Sequence, residues 1–289
     1  MSRFQPHDAF RSPRSGQLAT FMRLPYHREP KDLDVALVGI PYDGGTSYRP
    51  GARFGPREIR SQSALIRPWH PVLQVSPFEV LRVADYGDID ISPISIERTN
   101  ELVEAEIGAV LAADCIPVAI VHFDSHPDTW DQYFGSRYFH GTMFRRAVEE
   151  KLIDPRRTLQ IGIRGPLYGP DDFAFQAQHG MTVIRVEAIR ERGVAAALAE
   201  YERLKGAKVY VSFDIDAVDP AFAPATGTPE VGGLTSYEAL ELVRGLRGLD
   251  FAGFDVVEVA PAYDGPGQIT SLLAANLLFE FVSLVALNR

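Results

Sequence analysis

The chain has 289 residues, 46% of them apolar, and a net charge of −9 with 23% charged residues. That is enough apolar material for one large core, and no Lys/Arg run marks a nucleic-acid or membrane-surface partner. A small cationic ligand suits the acidic balance. A single cysteine, Cys115, excludes an intrachain disulfide framework and a cysteine-rich zinc site, as a reducing, cytoplasmic setting would favour.

The opening MSRFQPHDAFRSPRSG mixes charge and proline around no apolar centre, so it does not read as a secretory signal. Residues 1–33 lack periodicity and predict an arm lying on the surface or on a neighbouring subunit. From Asp34 short apolar runs alternate with helical stretches: DVALVGIP, a helix from Glu97 to Ala113, then PVAIVHFD, TLQIGI, TVIRV, KVYVSFDID and FDVVEV. Runs apolar on both faces and separated by helices predict a parallel sheet covered on both sides, hence one three-layer α/β/α domain over residues 34–289. The last stretch, Leu272 to Leu287, is broken by Asn276, Glu280 and Ser283 at helical spacing and predicts a packed C-terminal helix with one polar stripe. It falls short of the ~20 uninterrupted apolar residues of a membrane span.

In such a sheet ligands bind at the carboxyl ends of strands, so the polar residues that close each run carry the information. PVAIVHFDSHPD closes on Asp124, His126 and Asp128, whose spacing of two aims them at one side. KVYVSFDIDAVDP closes on Asp214 and Asp216. Any single Asp here could be a helix cap or turn former. Four carboxylates and an imidazole at neighbouring strand ends, however, would repel one another unless a cation sat among them. Oxygen-dominated ligation with one imidazole and no thiolate favours Mn²⁺ or Mg²⁺ over zinc. Two ions roughly 3.5–4 Å apart would activate a water at neutral pH.

Glu258, among the valines of FDVVEVAP, needs a cationic partner: either a protein arginine or the guanidinium of a substrate, which a carboxylate matches in planar two-bond geometry. His140, followed by Gly141, is a candidate proton shuttle, although a lone loop histidine is more often merely exposed. His122 shares the side of Asp124 but lies deeper, roughly 6.5 Å along the strand, and reads as a packed, hydrogen-bonded core histidine. The segment GGTSYRPGARFGP lacks phosphate-loop spacing and predicts a structured loop near the strand ends. TGTPE, Thr226 to Glu230, predicts a rigid turn facing the cleft, with Thr228 as a substrate contact.

FDSHPD, SFDIDAVDP and FDVVEVAP, with GIPYDGGTSYRPGARFGPREIR, HGTMFRRAVEE and DPAFAPATGTPEVGGLTS, resemble the ureohydrolase (arginase/agmatinase) family, in its agmatinase-like branch. The resemblance implies an arginase-like fold with two Mn²⁺ ions, one held by Asp124, Asp128 and Asp214, the other by Asp124, His126, Asp214 and Asp216. It places Glu258 on the guanidinium, gives His140 the proton transfer and counts Asp128 in the catalytic group. The implied reaction releases urea, from agmatine with putrescine as co-product, or from guanidinobutyrate or a related ω-guanidino acid. It also implies a homo-oligomer, a trimer or hexamer.

One departure stands out. The family places a Gly-Gly-Asp-His segment on a strand before Asp-x-His-x-Asp, and here a βα unit between Val118 and Ala119 is wanting, so the first ion lacks its histidine. The chain as written is therefore expected to hold one ion firmly and to turn over weakly or not at all, with a non-catalytic protein of this fold as the rival reading.

Overall fold

The computed structural model describes residues 3–110 and 118–289. Cys115 and the end of the predicted 97–113 helix lie outside them; the helix is observed over Ile96–Val110. Among the described residues seven strands form: β1 (Val35–Gly39), β2 (Val83–Asp88), β3 (Val118–Phe123), β4 (Ile153–Ile163), β5 (Thr182–Arg185), β6 (Lys208–Asp214) and β7 (Asp250–Val257). All but β2 arise from the apolar runs noted above. β2, with the sequence VADYGD, has an aspartate at its centre. Asp85 is buried there because it takes two hydrogen bonds from Arg60 and one from the Phe21 amide.

Every pair of neighbouring strands is parallel, and β3–β7 form one sheet in the order β5-β4-β3-β6-β7. Parallel neighbours require crossovers, supplied here by helices such as Met143–Glu149 between β3 and β4 and Ser236–Arg244 between β6 and β7. The result is a central parallel sheet flanked by helices. From β3 the chain builds outward to β4 and β5, then returns to lay β6 on the other flank. The carboxyl ends of β3 and β6 therefore stand at the point where strand order reverses, which in open α/β sheets is where ligands bind. Val121, Phe123, Val211 and Phe213 are fully buried, and the Phe123 and Phe213 rings stack at 4.9 Å. The strands that end in the acidic residues are thus firmly packed.

Among the described residues the remaining two strands, β1 and β2, form a separate two-stranded sheet. This leaves β7 as an edge strand, although its sequence DFAGFDVV carries none of the lysines or prolines that usually protect an edge. Phe251, Phe254 and Val256 are only partly buried, and Val257 is exposed. An interior-type sequence at an edge fits a sheet short of one strand. β3 runs unbroken through the Val118–Ala119 bond, Val118 opening the strand opposite Ile153, with a register irregularity before Ile120.

Of the first 33 residues, Phe4, Phe21, Met22 and Leu24 are buried against the body, and Tyr26 bridges to Asp85 of β2. The C-terminal helix, Ile269–Leu287, is long and apolar enough to cross a membrane by length and composition, but 72% of its apolar window is buried inside the protein. Its predicted polar stripe turns inward. Glu280 is buried, accepting from His70 at 2.8 Å and from the Arg244 guanidinium at 2.5 and 3.0 Å, and so ties this helix to Ser236–Arg244 and to the segment before β2. Removing the carboxylate would strand a buried imidazole and a guanidinium. Glu280→Leu is expected to lower unfolding stability by about 3 kcal/mol; an unchanged denaturation midpoint would show that the triad contributes nothing.

Candidate metal centre

β3 and β6 pair with Phe123 opposite Phe213, so Asp124 and Asp214, one residue further on, emerge side by side. Asp214 caps a single 3₁₀ turn, Ile215–Ala217, by accepting from the Asp216 amide at 2.9 Å, and this turns Asp216 back over β3. There Asp216 Oδ1 accepts from the Ser125 amide at 3.0 Å and from its hydroxyl at 2.8 Å. Asp124 Oδ1 accepts from the His126 amide at 2.6 Å. The His126 ring points its Nδ1 between the two carboxylates, 3.4 Å from Asp124 and 3.1 Å from Asp216. Asp128 follows with a left-handed backbone, φ +50°, a conformation that an aspartate tolerates better than most side chains.

Two groups of ligand atoms result, each lying within 4.8 Å of one another: Asp124, His126 and Asp216, and His122, Asp124 and Asp128. The structure thus brings together Asp124, His126, Asp128 and Asp216 as predicted. Asp214 sits beside them but joins neither group among the described residues. His122 is buried and hydrogen-bonded, as its place in the run suggested, but its partner is Asp124 Oδ2 at 2.7 Å, so it belongs to the site's edge.

The electrostatics show what is missing. Burial and the neighbouring Asp124 charge push Asp128 well above the usual carboxylate range, and burial with Asp216 and Asp124 does the same to Asp214. Asp216 is raised for the same reasons. Burial would raise Asp124 too, but the His122 and His126 imidazoles outweigh it and hold this carboxyl down. Burial works against a charged His126, yet its bonds to Asp124 and Asp216 lift it to about 11. Asp216 Oδ2 is buried and faces the His126 ring, whose Nδ1 lies 3.1 Å away, with no other polar partner among the described residues. A carboxylate oxygen answered only by an imidazole, inside a set of carboxylates forced towards protonation, fits a divalent cation, which would satisfy all of them at once.

Glu258 follows β7 with φ +61°, a strained conformation for glutamate of the kind that collects at ligand sites. Among the described residues no lysine or arginine pairs with it. Burial and the Asp216, Asp124 and Asp43 charges raise it to about 7, so the alternative of an internal ion pair is not realised. The TGTPE turn lies against it: a Cβ on Gly227 would stand 3.2 Å from Glu258 Oε2 and 3.3 Å from the Arg49 carbonyl, so the glycine is what lets these segments meet. Thr228 is partly buried beside this contact. His140 is exposed, with its ring tilted against that of Phe139 at 4.1 Å; surrounding protein and the His126 charge lower its pKa. A Cβ on Gly141 would come within 2.9 Å of Trp130 and 3.9 Å of Asp128 Oδ1, which brings the His140 loop up to the acidic cluster. Sequence reasoning missed Glu230, whose Oε1 lies 3.9 Å from His126 Nε2, because only the folded turn brings TGTPE over β3.

The Arginase family profile matches residues 33–120 and 115–283. The chain belongs to the arginase family. Guanidinopropionase from Pseudomonas aeruginosa is 48% identical over 306 positions, covering 98% of this chain and 96% of that protein. Guanidinobutyrase from the same organism is 42% identical, covering 97% and 96%. The proclavaminate amidinohydrolase structure from Streptomyces clavuligerus superposes with a TM-score of 0.91 at 41% identity, covering 96% of this chain and all of that one. These relatives are amidinohydrolases of linear guanidino compounds. The family is generally binuclear with manganese, which agrees in kind with the Asp/His groups here. The alignment with guanidinopropionase is longer than the 289-residue chain, so that relative carries residues without a counterpart here. The two profile matches meet at residues 115–120, where the Gly-Gly-Asp-His segment is wanting.

A raised pKa means a proton that ligation must displace. Mn²⁺ binding near pH 7 is therefore expected to release a proton from His126, and its affinity to rise with pH until the pKa of that imidazole, about 11, is passed. Calorimetry in buffers of different ionisation enthalpy reads this directly; a binding enthalpy independent of buffer would contradict it.

Proposed function

We propose that this chain hydrolyses a linear ω-guanidino acid of the guanidinopropionate type to urea and the corresponding amino acid, with manganese as its metal. The observation that carries the substrate is the 48% identity, over nearly the whole of both chains, to a guanidinopropionase, followed by 42% to a guanidinobutyrase. Agmatine, placed first on the sequence motifs, becomes the second candidate; an agmatinase from Gallus gallus is 39% identical. A homo-oligomer in the cytoplasm belongs to the same reading.

Asp124, Asp128, His126, Asp214 and Asp216 would hold the metal, which when bound supplies an activated water at neutral pH. The remaining work falls to side chains. Glu258, half-buried and facing no protein cation among the described residues, takes the substrate guanidinium in a two-point planar contact and so fixes the guanidino carbon above the acidic cluster. The guanidinium supplies the counter-charge that lets this carboxyl ionise in a setting that otherwise disfavours it. His140, neutral near pH 7 because its pKa is lowered, accepts a proton at a ring nitrogen and passes it to the departing nitrogen. Water adds to the guanidino carbon, the bond from that carbon to the tail nitrogen breaks, the tail leaves as an ammonium, and the carbon departs as urea.

The segment wanting at residues 115–120 favours one other reading, a protein of this fold without turnover. Urea release with added Mn²⁺ from guanidinopropionate, guanidinobutyrate and agmatine decides between them. The expected order of kcat/KM places the two acids above agmatine, and Glu258→Gln is expected to lower kcat/KM by about 100-fold or more. Urea from agmatine alone would reassign the substrate, and no urea from any of the three would favour the non-catalytic reading.

A further inference from the structure

The buried side of β3 facing β4 carries a polar relay that the chemistry above does not use. His122 lies opposite Gln160 in the β3–β4 register, and the Gln160 side-chain nitrogen stands 3.0 Å from His122 Nδ1 and 2.6 Å from the Pro127 carbonyl oxygen. Gln160 Oε1 lies 3.4 Å from Gln176 Nε2, which also donates to Thr129 Oγ1 at 2.6 Å. Gln160, Gln176, His122 and Thr129 are all buried.

The protons of this relay follow from one group that has no choice. A carbonyl oxygen only accepts, so the group of Gln160 facing Pro127 must be the NH₂. The same NH₂ faces His122 Nδ1, which must therefore accept. The imidazole then carries its hydrogen on Nε2, and that hydrogen is directed at Asp124 Oδ2, 2.7 Å away. The other Asp124 oxygen is engaged by the His126 amide. Both oxygens are thereby fixed in place, and the Phe144 ring, 4.2 Å from that of His122, closes the apolar side. Gln160 does a second job through Pro127: it ties down the loop between His126 and Asp128.

We propose that His122, held in its Nε2–H tautomer by Gln160, is a positioning residue that aims the Asp124 carboxylate for cation binding. A buried carboxylate with a free torsion would have to be ordered each time an ion entered; one already oriented by an imidazole donor avoids that cost, as outer-sphere partners of metal ligands generally do. The same contact explains why His122 serves Asp124 without being a ligand in its own right. The inference rests on the reading of Asp124 as a cation ligand.

Two measurements test it. In metal-free protein, long-range ¹H–¹⁵N correlation of the His122 ring should report the Nε2–H tautomer, and Gln160→Leu should relax that preference; an Nδ1–H tautomer in the unmodified protein overturns the relay. Mn²⁺ affinity by calorimetry should fall about tenfold or more in His122→Leu and in Gln160→Leu. His122→Gln places an amide donor near the position of Nε2 and should stay within about threefold of the unmodified protein. Melting of each metal-free variant identifies any that fail to fold, and the tautomer measurement stands without them. Equal affinities throughout, or His122→Gln as weak as His122→Leu, would overturn the proposal, the latter because it would make the imidazole itself the ligand. Absence of Mn²⁺ uptake by the unmodified protein would overturn the cation reading of Asp124, while the tautomer would still decide the relay.

Discussion

Five acidic groups, three of them buried and two half-buried, at the ends of three parallel strands set the terms for everything else in this molecule. Carboxylates in such surroundings cost free energy unless they are protonated or compensated by positive charge. The fold concentrates them where the strand order reverses, anchored by the fully buried Phe123 and Phe213, so they cannot move apart. A rigid excess of negative charge is an effective means of selecting cations, and two kinds of cation fit the two halves of the site. A divalent ion suits the Asp124, His126 and Asp216 group. A guanidinium suits Glu258, which faces no protein cation among the described residues.

Much of this was legible before any coordinates. The period-two spacing of Asp124, His126 and Asp128 survives folding because a strand feeds directly into it, and the parallel-sheet architecture follows from runs apolar on both faces. What stayed hidden depends on contacts between distant segments. β2 escaped notice because Asp85 interrupts it, and only the partnership with Arg60 makes that aspartate tolerable inside a sheet. Phe21, Met22 and Leu24 show no periodicity, yet they are buried. Glu230 and Gln160 reach the site through a turn and a strand register that no local pattern encodes. His122 was correctly placed in the core but not in its role, since its distance along the strand does not reveal that its ring bends towards Asp124.

The division of the sheet connects sequence to function in another way. β1 and β2 stand apart as a pair, β7 presents half-buried apolar residues along an edge, and the family pattern breaks at residues 115–120. All three observations describe the same shortage: one strand, together with the histidine it would carry. Asp128 then lacks a nitrogen ligand beside it other than His122, which is already committed to Asp124. The Asp124, His126 and Asp216 group has no such deficit and is the more complete of the two.

The most direct test is a crystal grown with Mn²⁺ and measured on both sides of the manganese absorption edge. A strong anomalous peak between Asp124, His126 and Asp216 is the predicted result, with any second peak towards Asp128 weaker. No peak at these residues, or a manganese ion bound elsewhere in the protein, would contradict the claim that the buried carboxylates exist to hold a cation.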